Sequence, residues 1–190
     1  GAAPAILIIG GAGGVGSIAI QIARQRTDLI VVATASRPDT QDWVKELGAH
    51  HVIDHSRPLA AQIAELGIGA PAFVFSTTHT EQHVADIAEL LAPQGRFALI
   101  DDPKGLDVMI FKRKAVSIHH ELMFTRSIYG TPDMDEQGKT LNALAAMVDA
   151  GKIRTTLTRR LSPIDAATLK TVHALVESGK TKGKIALEGF

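Results

Sequence analysis

Seven residues near the start of the chain, Gly10-Gly11-Ala12-Gly13-Gly14-Val15-Gly16, have the types and spacing to hold a diphosphate. Gly11, Gly13 and Gly16 fit the pattern G-x-G-x-x-G. In that pattern the first glycine makes the tight turn out of a strand. The second lets a pyrophosphate approach the backbone, and the third lets the next helix pack closely on the sheet. That helix points free N–H groups and the positive end of its dipole at the phosphates. The pattern by itself is weak, and its setting strengthens it. An apolar run, Ile6 to Ile9, precedes it; a helical stretch, Val15 to Arg24, follows; a second apolar run, Leu29 to Ala33, comes at the right distance. Gly11, Gly13, Gly14, Val15 and Gly16 are therefore the residues expected at a pyrophosphate. The bland alternative is a glycine-rich turn that only packs.

The end of the second apolar run selects the nucleotide. A carboxylate there holds ribose hydroxyls in NAD-binding units. Here the chain reads Val32-Ala33-Thr34-Ala35-Ser36-Arg37, with no carboxylate at the tip. Ser36 and Arg37 would attract a 2′-phosphate that a carboxylate would repel. NADP(H) is thus preferred over NAD(H), unless Arg37 is a solvated loop residue or pairs with Asp39. Two other nucleotide chemistries drop out. The loop lacks G-K-[ST], so it is no phosphate-transferring P-loop. The single tyrosine, Tyr129, has Asp133 and not a lysine four residues later, so a tyrosine–lysine acid–base pair is missing.

Other constellations carry less. His79 and His83 stand at i, i+4, a spacing that can chelate a metal on a helix, but no Cys, Asp or Glu obviously completes the set, although Asp86 is near. The pairs His50-His51 and His119-His120 fall in strand-like segments, where neighbours point to opposite faces. Asp101-Asp102 follows a buried run and reads as a turn cap, with Asp101 near a nicotinamide ribose as the functional alternative. Lys112-Arg113-Lys114 reads as a helix C-terminal complement or a solvated face. No residue is nominated as a catalytic acid or base, and none as a metal ligand.

These residues need a scaffold, and its pattern is legible. Apolar, largely β-branched runs alternate with helical stretches: strands at Ile6–Ile9, Leu29–Ala33, His51–Ile53, Ala72–Phe75, Arg96–Ile100 and Ala115–Ile118, with helices between. A short helix is expected at Leu106–Lys112. Runs of this kind suit strands buried on both faces, and the alternation implies right-handed βαβ crossovers. The fold class is α/β, a doubly wound parallel sheet. After Tyr129 the pattern changes to an amphipathic helix with Leu141, Leu144, Ala145 and Val148, then a strand at Thr155–Thr158, a helix at Asp165–Glu177 and a strand at Lys184–Leu187. Residues 1–150 form the expected dinucleotide-binding domain, and 151–190 a separate strand–helix–strand tail.

Composition sets the outer bounds. The chain has 190 residues, 20 Lys plus Arg against 20 Asp plus Glu, and no cysteine. Charge balance argues against a basic nucleic-acid binder and a polybasic membrane-surface protein. Without cysteine there is no disulfide, thiol nucleophile or thiolate metal site. No apolar run approaches the roughly 20 residues of a membrane span, and no charged-then-apolar leader opens the chain. A cytoplasmic location is the expectation. The balance is not uniform: residues 151–190 hold eight Lys or Arg against three Asp or Glu.

The glycine loop, Ala33-Thr34-Ala35-Ser36, Glu46-Leu47-Gly48-Ala49, Val52-Ile53-Asp54-His55, Leu91-Ala92-Pro93-Gln94-Gly95-Arg96, Phe124-Thr125-Arg126, Glu177-Ser178-Gly179 and Gly183-Lys184-Ile185, in this order, resemble the cofactor domain of medium-chain dehydrogenases/reductases. The nearest branch is the quinone-oxidoreductase-like and zinc-type alcohol dehydrogenase-like group. The resemblance covers nearly the whole chain. It implies a Rossmann fold, an upstream GroES-like catalytic domain absent here, and a tail that returns to complete that domain. Zinc, if used, would be bound by the absent domain. The parent activity implied is hydride transfer between a nicotinamide cofactor and a quinone, enone, carbonyl or alcohol, with this domain alone inactive. The rival class is a non-catalytic dinucleotide sensor. Residue by residue, Ser36 matches the serine that holds the 2′-phosphate. A lysine expected a few residues later falls at Thr40, for which Arg37 would substitute. A tyrosine falls at His55, beside the adenosine phosphate. Ser76, Thr77, Ile100 and Asp101 would line the dinucleotide, and Phe124-Thr125 would approach the nicotinamide. Family members often join sheets into dimers through the sixth strand, here Ala115–Ile118.

Overall fold

The computed structural model describes residues 4–190. Six parallel strands make one sheet: β1 (Ala5–Ile9), β2 (Ile30–Thr34), β3 (His51–Ile53), β4 (Phe73–Ser76), β5 (Arg96–Leu99) and β6 (Ser117–His120). They run in the order β3-β2-β1-β4-β5-β6. Between them lie α1 (Gly14–Arg26), α2 (Pro38–Glu46), α3 (Leu59–Glu65) and α4 (Thr80–Leu90). This is the Rossmann fold.

The central strands β1 and β2 are apolar on both faces because helices cover both, whereas β6 is largely exposed. In β1, Leu7 and Ile9 join a core with Leu59, Ile63, Ile87, Phe97 and Phe111 under α3 and α4. Ile8, pointing the other way, joins Ile20, Ala23, Val31, Val44 and Leu47 under α1 and α2. Ile8 and Leu7 are both fully buried. The strand order reverses between β1 and β4, so the loops after these two strands diverge and open a crevice at the carboxyl edge of the sheet.

Past β5 the outcome departs from the sequence pattern. The short helix is 3-10, at Val108–Lys114, and its one buried apolar residue is Phe111, whose ring lies 5.5 Å from Phe97. Ala115 caps it in the left-handed conformation at φ 49°, its N–H donating to the Lys112 carbonyl at 3.0 Å. That turn delays the sixth strand, which starts at Ser117 and not at Ala115 and forms one edge of the sheet. Then come α5 (Thr125–Tyr129) and α6 (Glu136–Asp149).

In the tail, β7 (Leu157–Leu161) and β8 (Lys184–Leu187) pair in parallel, with α7 (Ala166–Glu177) as their crossover. The strand expected at Thr155 begins later because the residues before it are committed to the sheet domain. The Gln21 side chain accepts from the Arg154 N–H (2.9 Å) and donates to its carbonyl (3.2 Å), and Ile153 and Thr156 are buried. The tail is thus seated against α1.

Candidate functional site

The site is built where β1 hands over to α1. Gly10 leaves the strand at φ +80°, a backbone conformation that favours glycine. Its N–H donates to Thr34 Oγ1 at 3.0 Å, and its carbonyl accepts from the Gly13 N–H at 3.1 Å. The tight turn expected of Gly11 therefore belongs to Gly10. Gly11 is constrained by packing, since a Cβ there would lie 2.9 Å from the Ala33 Cβ. Gly16 brings helix onto strand: its Cβ would fall 2.2 Å from the Gly10 oxygen and 2.7 Å from Gly11 Cα.

Gly13 caps α1 without any side-chain acceptor, and the first turn holds no acidic residue. Ser17 makes the first helical bond, to the Gly13 carbonyl at 2.9 Å. The N–H groups of Gly14, Val15 and Gly16 precede it and have no helical acceptor, which leaves them and the helix dipole aimed out of the fold.

In front of them lies a cleft of about 350 Å³. One side is Gly10, Gly13, Gly14 and Val15; the second is Thr34, Arg37, Thr40 and His55; the third is Thr77, Thr78 and His79. The fourth wall comes from the tail, as Gly179, Thr181 and Lys184. The Gly183 N–H donates to the Ala12 carbonyl at 2.9 Å, which pins the tail to the glycine loop. Arg154 and Lys182 lie over the Trp43 ring, 5.2 and 5.7 Å from its centroid, and clasp the tail to α2. Two cations, Arg37 and Lys184, line the cleft, and no carboxylate is among its lining residues.

Arg37 is already engaged. Its Nε pairs with Asp39 Oδ1 at 3.3 Å, and its Nη2 donates to the Lys180 carbonyl at 2.7 Å. The pairing with Asp39 named as an alternative for this residue is present, and the contact with Lys180 makes Arg37 a half-buried bridge between α2 and the tail in place of a solvated loop residue.

His55, His79 and His83 border one recess of about 250 Å³ beside the cleft, with Gln82 and Thr78. His79 takes the left-handed conformation at φ 53° just before α4. Burial pushes the His83 imidazole below its ordinary range, and His55 and His79 add to this while Asp86 opposes it. His55 is exposed by surface area, yet enough protein crowds it that lost hydration again leads in lowering it. Asp54 opposes, and His79 and Arg37 reinforce. Among the described residues no group of three or more His, Cys, Asp or Glu is arranged to hold a metal ion. With no cysteine in the chain either, the residues here do not fit a zinc site.

Of the remaining expected residues only Thr77 lines the cleft. Ser36 adjoins Arg37 and is half-buried, without lining the cleft. Thr77 lines it and donates to the Ile9 carbonyl at 2.9 Å. Ser76 is fully buried behind it, paired with Thr80 Oγ1 at 2.7 Å. Asp101 does cap a turn: its carboxylate accepts the Thr80 N–H at 2.9 Å and the Thr80 hydroxyl, which fixes the start of α4. Ile100 and Asp101 follow β5 and lie outside the cleft lining, and Phe124 and Thr125 lie on an exposed segment, also outside it. Sequence reasoning missed Gly10, Thr181 and Lys184. Gly183-Lys184 enters the sequence reading as part of a family motif and a tail strand, not as part of the cofactor site.

Residues 14–146 match the family of zinc-binding dehydrogenases. A zinc-type alcohol dehydrogenase-like protein of Staphylococcus aureus (strain MSSA476) is 34% identical over 183 residues, 96% of this chain and 54% of its own length. A crystal structure from Rhizobium etli CFN 42, assigned as a zinc-dependent alcohol dehydrogenase protein, is 74% identical with a TM-score of 0.95. The match covers 100% of this chain and 56% of that one. A mycobacterial protein complexed with NADPH shares the fold at TM-score 0.78 and 24% identity, over 97% of this chain and 57% of its own. The chain spans about half the length of the curated relatives it matches. It belongs to the zinc-binding dehydrogenases of the medium-chain dehydrogenase/reductase superfamily, and it carries their dinucleotide-binding domain.

Proposed function

We propose that the cleft binds NADP(H) in preference to NAD(H), and that the whole protein moves hydride between this cofactor and a quinone, enone, carbonyl or alcohol. The observation that carries the reading is the cleft itself. Unpartnered helix N–H groups, Arg37 and Lys184 converge on one cavity free of carboxylates, as a polyanion requires. Gly13, Gly14 and Val15 would lie along the pyrophosphate, with Gly11 and Gly16 keeping the loop close beneath them. Ser36 and Arg37 would take the 2′-phosphate, and His55 and Thr77 the adenosine and central portions. Ser76, Ile100 and Asp101 would shape the floor toward the nicotinamide, and Phe124-Thr125 would approach it only alongside further structure. The nicotinamide, when bound, supplies the hydride chemistry; this chain supplies binding and orientation. Zinc, where the protein uses it, would be held outside these residues.

Residues 1–150 act in this reading as the cofactor domain, and 151–190 as a tail returning toward a GroES-like domain. The chain by itself would be inactive, and the protein cytoplasmic. The sixth strand, Ser117–His120, is a sheet edge that would be protected by pairing with a second copy; a monomer at high concentration would refute that pairing.

Titration of NADPH and NADH by nicotinamide fluorescence tests the cofactor reading. NADPH should bind more tightly. Tighter NADH binding would overturn the roles of Ser36 and Arg37, and no binding of either at millimolar concentration would overturn the cofactor cleft.

A further inference from the structure

Arg37 is the one guanidinium lining the cleft, and two of its three nitrogens are engaged, Nε by Asp39 and Nη2 by the Lys180 carbonyl. Thr40 fixes its backbone: the Arg37 N–H donates to Thr40 Oγ1 at 3.2 Å, and the Thr40 hydroxyl returns a bond to the Arg37 carbonyl at 2.8 Å. Pro38 then opens α2 with φ locked, and Asp39 follows in the first turn. The Asp39 carboxylate is thereby held beside the guanidinium, 3.3 Å from Nε. A phosphate that takes Arg37 must compete with this carboxylate for Nε or bind the remaining donors, and in either case it stands close to the negative charge of Asp39. A ribose 2′-hydroxyl is uncharged and meets neither obstacle.

We infer that Asp39 is a specificity-determining residue: by occupying Arg37 it reduces the preference for a 2′-phosphorylated dinucleotide over an unphosphorylated one. The inference rests on the dinucleotide reading of the cleft. Asp39 acts as a positioning residue through Arg37, and its place in the helix first turn, where the dipole favours a carboxylate, keeps it there without a ligand. An arginine beside a missing β2 carboxylate reads as a 2′-phosphate site; the carboxylate has in effect moved from the strand tip to the helix.

The test is a cycle of titrations on the protein, wild type, Asp39→Asn, Arg37→Met and the double variant, with NADPH and NADH at one low salt concentration. Asp39→Asn should tighten NADPH about threefold to fivefold, the scale of one exposed ion pair, and leave NADH within about twofold. In the Arg37→Met background the gain should fall to less than half. Equal changes for both dinucleotides, no change for NADPH, or the full gain persisting without Arg37 would each overturn the role of Asp39 while the cleft reading stands. A wild type that binds neither dinucleotide would overturn both. Melting curves accompany each variant, and Asp39→Ser replaces Asp39→Asn if the latter fails to fold.

Discussion

The side chain of Lys184 lies across Gly14: a Cβ on Gly14 would meet Lys184 Cε at 2.3 Å and Nζ at 2.8 Å. A cation from the last strand is thus parked on the first turn of α1, where free N–H groups already favour an anion. Lys184→Met keeps the stem and removes the charge. It should weaken NADPH and NADH alike, about tenfold, as expected for one charge-assisted hydrogen bond to a group both cofactors share. Equal affinity in Lys184→Met and wild type would remove Lys184 from the site.

Gly16 faces backbone and not a movable side chain, so no rearrangement is cheap. Gly16→Ala should destabilise the fold by about 2 kcal/mol, in the range for overpacked cores. Chemical denaturation would measure it. Gly14→Ala meets only the flexible end of Lys184 and should cost clearly less, so equal costs for the two variants would contradict the geometry.

Asp101 ties β5 to α4 through the Thr80 N–H and hydroxyl. Asp101→Ala leaves two donors without their acceptor and should cost about 1–2 kcal/mol, as for a lost helix cap. A melting temperature unchanged from wild type would show that water replaces the carboxylate without loss.

His83 is buried, and its folded pKa lies below its ordinary 6.5, from burial first and then from His55 and His79. Below pH 6.5 the unfolded chain takes up a proton that the folded chain resists. The stability contribution is therefore whole above that value and is lost as pH falls through the folded pKa. Melting temperature should drop on acidification from pH 7 toward 5, and His83→Gln should flatten this dependence. An identical slope in both proteins would assign the acid sensitivity to other groups.

The alternation of apolar runs and helices made the sheet legible, because its central strands, buried on both faces, admit little but Val, Ile, Leu and Ala. Ile8 and Leu7 face opposite cores, and both had to be apolar. The glycine loop was legible as a phosphate motif, but the division of labour within it was not. Gly10 and Gly11 are adjacent and identical in type, and the positive φ of Gly10 and the packing of Gly11 on Ala33, which distinguish them, are properties of the folded turn. The sixth strand began late because a left-handed Ala115 is invisible to propensity. The Arg37 bridge to Lys180 and the placement of Lys184 depend on residues far apart in the chain, which local patterns do not encode.

The bond from the Gly183 N–H to the Ala12 carbonyl joins the tail to the glycine loop at the cofactor cleft. During synthesis the Rossmann sheet has all its strands long before residue 183 leaves the ribosome. The fourth wall of the cleft, with its lysine, arrives last. Contacts of such long sequence separation close late and slowly. A chain cut after Glu177 would keep every strand of the six-stranded sheet and lose that wall, Gly179, Thr181 and Lys184 together.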